Sequence, residues 1–284
     1  MPTKQIEFIR SKSKSPLDIR SKEIRKTILK MVEKAGRGHI PTAFSLVEIL
    51  RVLYDDVLKF DSKNPFWKER DRCILSKGHG CLALYPLLAD KGFFPEEELW
   101  KVCKPDGILG GHPEYKKVPG VEASTGSLGH GLPIGCGMAL DAKIHGRENK
   151  VFVVMGDGEC HEGSVWEAAM FANKHQLDNL CVVVDYNKQV TYNTTFQVQD
   201  LEPFAEKWKS FGFHAIEIDG HDTNLLRNTF KSIPLSKGKP TAIICHTIKG
   251  FGVPSIEINF KWHHINKITP KEVAGLINEL ENNK

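Results

Sequence analysis

Two short runs, Val151-Phe-Val-Val-Met155 and Leu180-Cys-Val-Val-Val184, constrain this chain more than any other feature of it. Both are rich in β-branched side chains and lack polar alternation, the pattern of a strand covered on both faces in a parallel sheet. Each run delivers a polar group at its end: the first leads into Gly156-Asp157-Gly158, the second into Asp185-Tyr186-Asn187. A carboxylate and an amide carbonyl carried on two strand ends suit a hard cation that grips a diphosphate. Gly-Asp-Gly alone is equally an ordinary turn. Asn187, placed after a second strand, tips the reading towards a cation site. Such a site takes a carboxylate oxygen from Asp157, the side-chain carbonyl of Asn187 and the backbone carbonyl of Gln189. Mg²⁺, or Ca²⁺ or Mn²⁺ in its place, fits that oxygen set. Gly156 and Gly158 let the backbone run close to the phosphates.

The rest of the sequence supplies a frame for these two strands. Further strands are expected at 72–75, 214–218 and 241–247, and helices at 163–176, 203–210 and 222–231. Strands alternating with helices predict an α/β fold with a doubly wound, mostly parallel sheet and helices on both faces. Ligands bind such sheets beyond the carboxyl ends of the strands, where Asp157 and Asn187 fall. Residues 1–16 read as a polar, flexible arm, and 17–284 as a single domain. Leu17, Ile24, Ile28, Met31 and Val32 recur at helical spacing, with Ser15 as the expected N-cap, Pro16 as first position and Gly36 and Gly38 as the stop. Leu46, Ile49, Leu50 and Leu53 mark a second helix. Another is expected to begin near Tyr85, with Pro86 in its first turn. Residues 105–133, rich in glycine and proline, run irregularly into a Gly- and Ala-rich helix over 132–142.

Composition narrows the function classes. The net charge of +4, from 39 basic and 35 acidic residues, carries no clustered basic face of the kind nucleic acid requires. The seven cysteines form no C-x-x-C pair, and Cys136 and Cys181 sit in apolar or glycine-rich runs as small buried hydrophobes. A reduced compartment is therefore expected, and with no apolar signal core and no run of spanning length, a soluble cytoplasmic protein. No G-x-G-x-x-G or Walker A sequence follows a strand, which argues against a nucleotide-binding protein.

Gly156-Asp-Gly-Glu-Cys-His-Glu-Gly163, followed by Asp185-Tyr-Asn187-Lys, resembles the diphosphate-binding domain of the transketolase family. Four other segments are similar to that family's loops: Gly36-Arg-Gly-His39-Ile, Ser76-Lys-Gly-His79-Gly, Gly110-Gly-His112-Pro-Glu and Ser124-Thr-Gly126-Ser-Leu128-Gly-His-Gly131. The likeness spans roughly residues 17 to 265. It implies thiamine diphosphate as cofactor, bound by His79, Gly126, Ser127, Leu128, Gly156, Asp157, Gly158, Glu159, Glu162, Asn187 and His263. It also implies that His39, His79, His112 and His263 ring the thiazolium and the ketose and handle protons on substrate hydroxyls. Imidazole titrates near neutrality and suits that work. The sequence departs from the family at His264, where a glycine is usual, so either His263 or His264 could face the site. It departs again at Pro41-Thr42 and at His161. Glu162, by resemblance, joins a carboxylate network linking two active sites; as a helix-leading acid it would be unremarkable.

The family's reaction cleaves a ketose between C2 and C3 and passes the two-carbon unit to an aldose. It needs a glutamate from a second, pyrimidine-binding domain to activate the cofactor. The expectation is a split enzyme: this chain as N-terminal subunit, and a second polypeptide bringing the pyrimidine-binding and C-terminal domains, with two copies of each in a heterotetramer. The substrates would be a sugar or sugar phosphate. The alternatives are a deoxyxylulose-phosphate synthase-like or 2-oxo-acid dehydrogenase E1-like subunit, or a non-catalytic homologue serving as a binding subunit.

Overall fold

The computed structural model describes residue 13 and residues 15–283. Its centre is a parallel sheet of β1 (Arg72–Leu75), β2 (Val151–Gly156), β3 (Leu180–Tyr186), β4 (His214–Asp219) and β5 (Thr241–His246), in the spatial order β1-β2-β3-β5-β4. The register pairs Gly156 with Asp185 and Tyr186 with His246, so the strands end together. Between β3 and β4 the chain skips one position, and β5 returns to fill it.

The fully buried runs explain both layers at once. Successive side chains of a strand point to opposite faces. Phe152, Val154, Cys181, Val183, Ile243 and Cys245 therefore pack on one side, against α1 (Ile19–Ala35), α2 (Ile40–Val52), α3 (Cys81–Asp90), α8 (Thr223–Lys231) and α9 (Pro270–Asn282). Val151, Val153, Met155, Val182, Val184 and Ile244 pack on the other, against α4 (Gly131–Ile144), α5 (Gly163–Lys174) and α7 (Phe204–Ser210). A single turn, α6 (Thr195–Val198), sits in the connection after β3. The small residues of α4 bring it down onto the sheet: a Cβ at Gly135 would lie 2.5 Å from Val153 Cγ2.

The doubly wound architecture is as expected, and two helix starts differ. The first helix starts at Ile19, not at Pro16. Asp18 is its N-cap, with Oδ1 accepting from the Ser21 amide at 2.8 Å and from Arg51 Nη1 at 2.5 Å. A carboxylate that caps and pairs with an arginine outcompetes the Ser-Pro start. The third helix begins at Cys81, which leaves Pro86 in its interior. Burial of every residue from Cys81 to Leu88 overrides the amide that the proline removes. The last helix spans Pro270–Asn282 with a Thr269/Glu272 capping box. Gly36 closes α1 in the left-handed conformation, at φ 72°. The expected arm lies almost wholly outside the described residues; within it, Ser13 and Ser15 each donate to Asp219 at 3.0 Å.

Candidate active site

Five loops leave the carboxyl edge of the sheet side by side, and each carries a polar side chain. Beyond β1 come Ser76, Lys77 and His79; beyond β2, Asp157 and Glu159; beyond β3, Asn187, Lys188 and Gln189; beyond β4, His221; beyond β5, Thr247 and Lys249. A cavity of about 450 Å³ opens over the middle of this edge. Its wall includes His39, Lys77, His79, Gly126, Leu128, Gly156, Asp157, Gly158, Glu159, Glu162, Gln189, Lys249 and His263.

Asp157 is 1% exposed. Its Oδ1 accepts from the Gly158 amide at 2.8 Å and its Oδ2 from the Lys188 amide at 2.5 Å. Burial pushes its carboxyl up to about 6, and nearby Lys77 offsets only part of that. Asn187 is buried and turned along the same strand end, with Oδ1 accepting from the Gln189 amide at 3.1 Å. The carboxylate and the amide thus converge on one tripeptide, 187–189. Gln189 is 4% exposed, and its side-chain Nε2 has no hydrogen-bond partner among the described residues. A buried, poorly compensated carboxylate beside an amide oxygen is a donor set that a divalent cation would complete. Among the described residues no three His, Cys, Asp or Glu gather as a metal cage; the donor set here is one acid with amide oxygens. Gly158 packs closely on the neighbouring loop: a Cβ there would stand 2.8 Å from Val190 Cγ1. These residues fit a cation and a diphosphate.

Glu159, in the cavity wall, also holds the loops around it. Its Oε1 accepts from Ser76 and from the Gly129 amide at 2.9 Å, and its Oε2 from the Gly156 amide at 3.2 Å. Three loops are thereby stitched together, and both carboxyl oxygens are engaged by protein donors. Glu162 is exposed, sits at the N-cap of α5 without a side-chain cap bond, and borders the cavity. Ser127 is exposed and lies outside the cavity lining, while Gly126 and Leu128 on either side of it belong to the wall.

The histidines divide between two connected spaces. His39, His79 and His263 line the main cavity, and His39 and His79 also line an adjoining pocket of about 200 Å³ with His112 and His264. His263 and His264 therefore both reach the site, from either side of His39: the His39 ring lies 5.2 Å from that of His263 and 4.5 Å from that of His264. His112 stands next to the backbone of Gly126, which links the two spaces. Burial lowers His39 to about 4 and His263 to about 3, the latter helped by the Lys249 charge; burial also lowers His79 and His112. All four are neutral imidazoles at neutral pH.

Two lysines in the wall escaped the sequence reading. Lys77 is 3% exposed, and its Nζ binds Asp185 Oδ2 at 2.6 Å, an oxygen that also accepts from Ser45 Oγ at 2.6 Å. Thr247 Oγ1 donates to the other oxygen. Burial would raise Asp185; the Lys77 charge and these donors outweigh it and hold the carboxyl low. Lys249 is 6% exposed, its Nζ 3.0 Å from His263 Nδ1, and burial with the neighbouring Lys77 charge lowers it to about 7. The available signal was position: each follows a strand end directly, at Leu75-Ser-Lys77 and Thr247-Ile-Lys249.

The chain matches a family model described as "Transketolase, thiamine diphosphate binding domain" over residues 19–280. It is 40% identical over 258 residues to a 6-deoxy-6-sulfo-D-fructose transketolase subunit of Clostridium sp. (strain MSTE9), covering 91% of this chain and 94% of that one. It is 41% identical over 248 residues to an apulose-4-phosphate transketolase subunit of Phocaeicola vulgatus, covering 87% and 88%. Among solved structures, transketolase from Leishmania mexicana superposes with a TM-score of 0.86 at 29% identity, over 94% of this chain and 41% of that one. The chain thus spans nearly the whole of the two subunits and about two fifths of the solved transketolase. On the fold, the five-loop cavity and these matches, the chain belongs to the transketolase family and carries its thiamine-diphosphate-binding domain.

Proposed function

We propose that this chain is the diphosphate-binding subunit of a two-component transketolase, active with a partner that carries the pyrimidine-binding and C-terminal domains. The observation that carries the reading is the convergence of Asp157, Asn187 and Gln189 at one edge of a cavity whose other wall bears His39, His79 and His263. Two relatives that this chain covers almost end to end are themselves named as subunits, which supports a partner. A heterotetramer in the cytoplasm is the proposed assembly and location; among the described residues no helix is long and apolar enough to cross a membrane.

In this reading Asp157, Asn187 and the Gln189 carbonyl hold a Mg²⁺ that binds the diphosphate, and Gly156 and Gly158 admit the phosphates to the backbone. Bound thiamine diphosphate supplies a nucleophilic carbon and an electron sink. The chain's own contribution is placement and proton handling. His39, His79, His112 and His263 face the hydroxyls of the sugar, and their low basicity keeps them uncharged while they exchange hydrogen bonds with it. The names of two relatives refer to a sulfo-sugar and a sugar phosphate, so a ketose with an anionic tail is the proposed donor and an aldose the acceptor.

The test is reconstitution. The purified chain alone should show no ketol transfer, and addition of the partner with thiamine diphosphate and Mg²⁺ should produce it. Full turnover by this polypeptide alone would refute the two-component reading. Pyruvate consumption without ketose–aldose exchange would move the assembly to another thiamine-dependent class.

A further inference from the structure

Two of the cavity's imidazoles are held by opposite kinds of partner. His39 Nδ1 lies 2.8 Å from the backbone carbonyl of His263. A carbonyl only accepts, so Nδ1 carries the ring proton and Nε2 keeps the lone pair. His263 Nδ1 lies 3.0 Å from Lys249 Nζ. Below about pH 7, the value to which burial and Lys77 lower it, Lys249 is an ammonium and only donates, so there Nδ1 keeps the lone pair and the proton resides on Nε2. The two rings stand edge to face, 5.2 Å apart at 82°, on one wall of the cavity.

We infer that Lys249 is a positioning residue that fixes the tautomer of His263, so that the site presents a matched pair to its ligand: His39 Nε2 as proton acceptor and His263 Nε2–H as donor. This rests on the cavity being the ketose site proposed above. A polyol carbon chain offers hydroxyls and a carbonyl on successive carbons. An acceptor and a donor side by side read such a chain in one direction only: the hydroxyl gives its hydrogen bond to His39, and the neighbouring oxygen takes one from His263. Both rings are neutral at working pH, because burial lowers each, so which nitrogen carries the proton is the variable that matters. The groups that act on the Lys249 charge are Lys77, which opposes it, and Asp157 and Asp185, which favour it. Lys249 itself is held by the turn that follows β5, where the Ile248 amide donates to His221 Nε2 at 3.0 Å and the Gly250 amide to the Pro41 carbonyl at 3.0 Å.

The experiment is ¹⁵N imidazole NMR of the full chain at about pH 6, below the Lys249 value of about 7 and above those of His39 and His263, as wild type, Lys249→Met and Lys249→Arg, with a thermal melt of each. In wild type, His263 should show the Nε2–H pattern and His39 the Nδ1–H pattern. Lys249→Met should collapse the His263 pattern towards a mixture of tautomers and leave His39 unchanged. Lys249→Arg, which can only donate, should restore it. With the partner added, Lys249→Met should lose about 10- to 100-fold in kcat with little change in KM for the ketose, and the arginine variant should regain most of that. An Nδ1–H pattern for His263 in wild type overturns the inference, since Lys249 would then be acting as a neutral amine. So does a His263 pattern that survives Lys249→Met. A wild-type assembly that transfers no ketol unit, with the NMR patterns as expected, refutes the functional reading and leaves the tautomer assignment standing.

Discussion

Asp157 sits where stability and binding pull in opposite directions. Its carboxyl titrates in the fold at about 6, against 3.8 as its ordinary value. Between those two pH values the folded chain retains a proton that the unfolded chain has released. The group's contribution is therefore complete below about pH 4 and is lost as pH rises through 6. Without cation or cofactor, raising the pH from 4 to 8 should open a gap in pH dependence: wild type loses roughly 3 kcal/mol at most that Asp157→Asn, which does not titrate there, keeps. The gap should close as pH falls towards 4. Thermal melting of both chains across that range checks it. In the presence of Mg²⁺ and thiamine diphosphate wild type should gain stability that the variant does not, because the variant loses the ligand that stabilises wild type; calorimetric titration should show at least about 100-fold weaker cofactor binding. Residue by residue, Asp157 and Asn187 are legible because both emerge from unmistakable strands. Lys77 and Lys249 are not, since a lysine in a sequence reads as surface, and only the fold reveals the carboxylate and the imidazole that hold them below it. His221 is hidden in the same way. It reads as an ordinary loop histidine, yet its Nδ1 donates to Glu48 Oε2 at 2.8 Å in the interior.

At the scale of elements, helix α4 shows what glycine is for in one position and not in another. Gly135 faces Val153, and any side chain there forces the helix off the sheet. Gly137, two residues on, has nothing within 4 Å of where its Cβ would lie. Gly135→Val should destabilise by about 1–3 kcal/mol through overpacking, whereas Gly137→Ala should stabilise by about 0.5–1 kcal/mol through helix propensity. Denaturant unfolding of the two variants checks both signs. The central strands are readable because all of their residues are buried. Helix starts are not: at the first, Asp18 prevails over Ser15 through its partnership with Arg51, thirty-three residues away, a contact that no local window contains. At the third, Pro86 marks a beginning by local rule and is overruled by the surrounding core.

Across the whole molecule, one buried network ties the ends of the domain to the site. Arg25 of α1 binds both oxygens of Glu48 in α2 at 2.6 and 2.9 Å, and donates to the carbonyls of Phe44 and Phe251. Glu48 accepts in turn from His221, whose ring stacks on Phe251 at 3.8 Å. Burial would raise the Glu48 carboxyl, but the Arg25 charge and the His221 and Arg25 hydrogen bonds outweigh it and hold it well below the carboxylate range. Its stabilisation is present above the ordinary carboxylate pKa and is lost only as strong acid takes the pH down through the depressed value. Arg25→Met, which leaves Glu48 buried and half-paired, should cost about 3–5 kcal/mol by chemical denaturation at pH 7. It should also loosen the turn that carries Lys249, seen as faster amide exchange at 248–252.

The cavity has a floor and a rim of different kinds. The floor is five strand ends cross-linked by Glu159, Asp185 and Glu48, each engaged by donors from separate segments. The rim, with Thr191 and Tyr192 on one side and Cys103 with Gly110 to His112 on the other, is hung on loops and borders the two spaces without entering those cross-links. A protein built this way can change its diet without rebuilding its skeleton: grafting the rim segments of a relative that takes a different sugar should carry over that relative's preference while the melting temperature barely moves.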